Sequence, residues 1–133
     1  MTSRNLVLAF FATMLALLTI DALWLLVLMK GTYQFYLGGL MLDQAKLVPA
    51  GLFYLLYPVG LVVFAVMPAV HKHDWRSAAL LGGLLGLVAY GTYNLSNLAT
   101  LRGWPWQFTV IDMAWGTFLS SVTACAGYAA GKR

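Results

Sequence analysis

Glutamate is absent from this 133-residue chain, and charge of either sign is scarce: the acids are four Asp, and charged residues are 9% of the total. A soluble domain needs roughly a quarter of its residues charged to cover its surface. With 62% hydrophobic residues, the chain cannot do this in water, and lipid must be its solvent. The one cysteine, Cys125, excludes an intramolecular disulfide and a CxxC redox centre. It lies in an apolar run and is read as a small helix-packing residue. The eight Lys and Arg are scattered at the ends of apolar stretches. A nucleic-acid reader would gather them on one face, so that class is excluded; scattered basic residues read instead as membrane orientation and headgroup contact. His71 and His73 beside Asp74 make an incomplete ligand set and read as a solvated loop, so neither metal nor cofactor is expected.

What the chain does have is long apolar runs. A membrane helix needs about 20 mostly apolar residues, and Asn5–Met29, Leu47–Val70, Ser77–Leu101 and Gln107–Ala130 each qualify. The first run exceeds the roughly 7–15 residues of a signal-peptide core and no small-x-small cleavage site follows it, so it is read as a retained helix. The breaks carry Lys30-Gly31, the segment His71 to Arg76, and Arg102-Gly103-Trp104-Pro105-Trp106; Trp75, Trp104 and Trp106 suit the headgroup level. The expected architecture is all-α integral membrane: one four-transmembrane-helix bundle over residues 1–133. A short interfacial amphipathic segment is expected between helices 1 and 2, because Tyr33, Tyr36, Leu37, Leu40 and Met41 recur at helical spacing. Arg4, Lys72, Arg76, Lys132 and Arg133 fall on one side and Lys30, Lys46 and Arg102 on the other, which puts both termini in the cytoplasm. Ala78, Gly82 and Gly86 on the third span, and Gly116, Ser120 and Ala124 on the fourth, form small-residue stripes that let helices, or two copies of the chain, approach closely.

Two carboxylates lie inside the spans, Asp21 and Asp112. A charged residue there costs about 2.5–3.5 kcal/mol on insertion scales and is functional by default. Both sit in the motif Ile-Asp-x-x-Trp, which puts Trp24 and Trp115 on the same helix face as their own acid. Each indole is then free to donate to its own acid, to donate to one on another helix, or to line a pocket. Because spans alternate in direction, both acids fall in the same half of the bilayer, the outer half in the orientation above. Tyr90, Tyr93, Asn94 and Asn97 share a face of the third span that continues the glycine stripe, and Ser96 is off it. Tyr54 and Tyr57 precede Pro58 on the second span; Pro58 has no N–H for the Tyr54 carbonyl and is expected to kink it. Arg102 lies by topology at the mouth, with Asp43, a headgroup, a ligand phosphate or water as its open partners.

The segments Pro49 to Tyr57, Tyr90 to Leu101, Trp104-Pro105 and Asp112-Met113-Ala114-Trp115-Gly116-Thr117 resemble the predicted bacterial membrane proteins grouped as domain-of-unknown-function family 2177. The resemblance covers nearly the whole chain. It implies the bacterial inner membrane as location, an Asp in many relatives where this chain has Asn94, and a role near membrane-lipid modification.

The polar cluster reads either as a self-satisfied hydrogen-bond network of Tyr, Asn and indole groups that fixes the bundle or as a partly hydrated pocket that opens outward, and from the pocket three readings follow. The leading one is a non-catalytic or accessory protein whose outer-half pocket binds a lipid or a small amphiphilic or cationic ligand through Asp21, Trp24, Tyr54, Tyr57, Tyr90, Tyr93, Asn94, Asn97, Asp112 and Trp115. The second is a small proton-coupled exporter working as a homodimer. The third is a lipid-modifying enzyme using the paired Asp residues; it ranks last because no nucleophile elbow, His box or metal set is present. Membrane lipids are the expected partners, together with a second copy or another membrane protein, and no nucleic acid.

Overall fold

The computed structural model describes residues 1–28, 30–42 and 46–132. Helix α1 (Ser3–Leu23) starts at Thr2, whose hydroxyl accepts from the Asn5 N–H at 3.1 Å, and runs on into a π-helical turn, Trp24–Leu28. Helix α2 (Lys30–Leu37) and a 3₁₀ turn (Gly38–Leu40) form the connection. Helix α3 (Leu47–Leu61), a π-helical turn (Val62–Val66) and α4 (Met67–Lys72) make one continuous second span. Helices α5 (Trp75–Thr100) and α6 (Trp106–Gly131) complete the chain. Four segments, Ser3–Leu26, Leu47–Lys72, Trp75–Thr100 and Trp106–Gly131, are long and apolar enough to cross a membrane. The structure is thus an all-α membrane bundle, with no strand among the described residues.

The breaks are shorter than composition suggested. Only His73 and Asp74 lie outside helix between the second and third spans. His73 takes a left-handed conformation, φ 53°, that ends α4, and the Asp74 carboxylate caps α5 by accepting from the Arg76 N–H at 3.0 Å. Trp75 and Trp106, read as loop residues, begin α5 and α6 instead. Pro58 is fully buried inside α3, and the chain answers it a turn later with the wider Val62–Val66 turn. The amphipathic stripe of the first connection is cut short. Tyr33, Tyr36 and Leu37 are partly buried, but Gly38, with φ 33°, ends α2 and leaves Leu40 and Met41 exposed.

Helix α6 is the spine of the bundle, packed on α5 along one side and α1 along the other, with Val62–Val66 against α1, α5 and α6. The small-residue stripes join the third and fourth spans. A Cβ at Gly82 would meet Ala124 and the Ser120 carbonyl, and one at Gly86 would overlap the Gly116 carbonyl and Ser120. Gly127 lets α1 close on α6 in the same way, against Thr13 and Val66. Both termini lie at one end, where Gly131 abuts Met1 and Ala9.

The two halves of the bundle differ in kind. Towards the termini the core is apolar and small: Ala9, Leu61, Val62, Ala65, Val66, Ala69, Ala78 and Ala124 form one buried cluster. The half away from the termini is polar at its centre and incompletely closed. There α5 packs closely on Val62–Val66 but scarcely on α3 above it. The outward faces carry exposed Leu, Val and Phe, as lipid contact requires.

Candidate functional site: two buried carboxylates at one end of the bundle

Asp21 near the end of α1 and Asp112 near the start of α6 are both buried, at 7% and 6% exposure. Since α1 and α6 run in opposite directions, both belong to the half away from the termini. Asp21 accepts from the Tyr54 hydroxyl at 2.5 Å and from the Trp115 indole N–H at 3.2 Å. Asp112 accepts from the Tyr33 hydroxyl at 3.2 Å and from the Asn94 amide at 2.7 Å. The Trp24 indole donates to the Tyr33 oxygen at 3.1 Å.

The two Ile-Asp-x-x-Trp motifs therefore cross. Trp115 serves the acid of the first motif directly, and Trp24 serves the acid of the second through Tyr33. The two indoles stack face to face between them, 3.9 Å apart and 5° from parallel. One chain of contacts thus runs from Asp21 through Trp115, Trp24 and Tyr33 to Asp112. Among the described residues every donor to the two carboxylates is neutral.

Asn94, fully buried, also donates to the Tyr90 carbonyl at 2.9 Å. Both partners of its amide nitrogen are acceptors, so its orientation is set by the network. Its oxygen is the buried side-chain acceptor left without a partner among the described residues. Tyr57 bonds Ser120 at 2.5 Å and stacks on Phe53, while the Tyr90 ring packs flat on Gly116, where a Cβ would overlap it. A cavity of about 350 Å³ opens beside this network, lined by Phe53, Tyr57, Ala89, Tyr90, Tyr93 and Asp112.

Of the sequence-derived site residues, the network holds Asp21, Trp24, Tyr54, Asn94, Asp112 and Trp115, and the cavity adds Tyr57, Tyr90 and Tyr93. Asn97 stays outside. It is one turn too near the helix end, and its carbonyl accepts the Leu101 N–H that closes α5. Tyr93 is half exposed, edge-on to Trp104 at the rim. A pairing of Arg102 with Asp43 lies outside the described residues.

Sequence reasoning missed Tyr33 and Ser120. Tyr33 belonged to the amphipathic stripe, which signals burial but not where a hydroxyl points. Ser120 belonged to the small-residue stripe, whose spacing says only that helices meet. Tyr33 lies outside the spans. Burial, and then the Asp112 carboxylate, push its hydroxyl well above the ordinary tyrosine range, so it remains a donor at any working pH. Tyr33→Phe removes the donor to Asp112 and the acceptor of the Trp24 indole together. It is expected to cost about 1–3 kcal/mol, with thermal unfolding in detergent as the measurement and unchanged stability as the result that denies the link.

Fold and site together define a small polytopic membrane protein built around a buried two-carboxylate network. The chain belongs to the family described as Predicted membrane protein (DUF2177), whose model matches residues 6–129. It matches no curated protein and no solved structure.

Proposed function

We propose that the protein is a non-catalytic or accessory component of the bacterial inner membrane, with both termini cytoplasmic, whose outer-half pocket binds a lipid or small amphiphile. The observation that carries this reading is the pairing of two buried carboxylates, bonded among the described residues to neutral donors alone, with a cavity that reaches one of them. Among the described residues no cationic side chain bonds either carboxylate, and the charged form of an acid at membrane depth is stabilised by a cation brought from outside the fold. The orientation rests on Arg4, Lys72, Arg76 and Lys132 at the end that holds the termini, against Lys46 and Arg102 at the other. Both acids sit at one end, tied by a stacked indole pair. That arrangement suits holding a ligand better than carrying an acid from one face to the other, which the exporter reading needs.

Native mass spectrometry of the wild type beside the Asp21→Asn, Asp112→Asn double variant tests the reading. An amphiphile retained by the wild type and absent from the variant is the expected result. Equal retention by both, or none by either, overturns it.

A further inference from the structure

The cavity at Asp112 does not end there. A second hollow, of about 510 Å³, lies along the same side of the bundle and shares Phe53, Tyr57 and Ala89 with the first. Its other walls include Leu56, Gly60, Val63 and Leu85. The two form one furrow between α3 and α5, where α3 stands away from α5 above the Val62–Val66 turn. Gly60 and Ala89 are the small residues among its walls, and a Cβ at Gly60 would meet open space. From Phe53 to Val63 the furrow follows α3 for about 15 Å at 1.5 Å per residue, roughly the length of a dodecyl tail.

The two ends of this furrow differ in chemistry. The lower end is apolar. The upper end presents the Asp112 carboxylate among the rings of Phe53, Tyr57, Tyr90 and Tyr93. Asp112 uses two of its roughly four acceptor sites. A carboxylate with spare acceptor capacity, walled by aromatic faces, attracts an ammonium group through charge and through the negative faces of the rings. A head that carries negative charge alone would be repelled by the Asp112 carboxylate there.

We propose that the furrow holds a single-chain amphiphile with an ammonium head, the head between Asp112 and the rings of Tyr90 and Tyr93 and the tail along α3 and α5. The proposal rests on the amphiphile-binding reading above and names its ligand class. The head has two sources: an aminolipid of the membrane itself, or a foreign alkylammonium compound.

The test is native mass spectrometry of the full chain released from maltoside micelles, with dodecyltrimethylammonium, lauroyl lysophosphatidylethanolamine and dodecanoate added separately at equal concentration. The wild type is expected to retain one ammonium amphiphile at least about tenfold more tightly than dodecanoate, a preference that Asp112→Asn abolishes. Ala89→Phe, which puts a ring into the stretch common to both hollows, is expected to abolish retention altogether. Tyr93→Leu, at the half-exposed rim and outside the hydrogen-bond network, is expected to weaken the preference several-fold while leaving the fold intact. Retention of the lysophospholipid as well as the alkylammonium supports the aminolipid source, and retention of the alkylammonium alone supports the foreign one. Dodecanoate held as tightly as either, or a preference that survives Asp112→Asn, overturns the ammonium head while leaving amphiphile binding standing. Undiminished retention by Ala89→Phe overturns the furrow. No amphiphile of any charge retained by the wild type overturns both readings together.

Discussion

Gly116→Val is expected to cost the bundle about 3 kcal/mol or more and to dismantle the carboxylate network in the same step. A Cβ at this position would fall inside the Tyr90 ring, against atoms held close to the α5 backbone, so no flexible tip can swing aside. Across the same contact, Gly86 faces the Gly116 carbonyl and Ser120, leaving α5 no room to rotate away. The helices must separate. Separation is costly in a membrane because no hydrophobic force between helices replaces lost packing. It also breaks chemistry. Asn94 on α5 bonds Asp112 on α6 one turn from Gly116, and Trp115, its chain neighbour, bonds Asp21. Indole emission should therefore change along with the unfolding midpoint, because Trp24 and Trp115 lose their stack. Gly51→Ala is the matched control: a Cβ there meets nothing within 4 Å, so the substitution should be neutral or stabilise α3 by roughly 0.5–1 kcal/mol. Thermal unfolding in detergent, followed by circular dichroism and tryptophan emission, reads both. A Gly116→Val protein that melts with the wild type would deny that α5 and α6 meet at this glycine.

The same contact shows what a sequence can and cannot reveal. The spans were legible because twenty apolar residues in a row leave few alternatives, and the small-residue stripes because a four-residue period marks one helix face. The acids stood out through the cost of their position, and their shared depth followed from the alternation of spans alone. Which groups bond which acid was not legible. Ile-Asp-x-x-Trp places an indole near its own carboxylate, yet both indoles serve the other motif's acid, because the helices cross so that Trp24 and Trp115 stack. Spacing puts Tyr90, Tyr93, Asn94 and Asn97 on one face but does not rank them by depth. Of the four only Asn94 is fully buried: Tyr93 lies at the rim against Trp104, and Asn97 is one turn nearer the end of the helix. The furrow left no trace in the sequence either. It is a gap between α3 and α5, opened above a π-helical turn, and its walls are apolar residues of the kind that face lipid elsewhere on the bundle.

Asparagine at either carboxylate is expected to leave the bundle as stable as it is or to raise its stability, whereas Asp112→Ala is expected to lower it by about 2–4 kcal/mol. The contrast comes from counting donors and acceptors. An asparagine at 112 keeps its oxygen for Asn94, whose amide nitrogen has only hydrogens to offer, and turns its own NH₂ to Tyr33. The Tyr33 oxygen receives the Trp24 indole and still has a lone pair free. An asparagine at 21 has the same latitude. Its oxygen faces the Trp115 N–H, which can only donate, and its NH₂ meets the Tyr54 hydroxyl, which can accept. Alanine at 112 gives Asn94 and Tyr33 nothing in return, at a depth where water does not replace the bond. Removing the charge also removes the insertion cost of about 2.5–3.5 kcal/mol that a charged side chain carries. Unfolding by heat or by a denaturing detergent, compared across wild type, Asp21→Asn, Asp112→Asn and Asp112→Ala, measures the difference. If Asp112→Asn fails as readily as Asp112→Ala, the negative charge itself holds the helices together and the case for a ligand loses its footing. If the asparagine variants stand while binding is lost, the charge has a use other than the fold. In that outcome the network does not need a carboxylate at 112, and the charge of Asp112, the acid that lines the cavity, is left for a ligand.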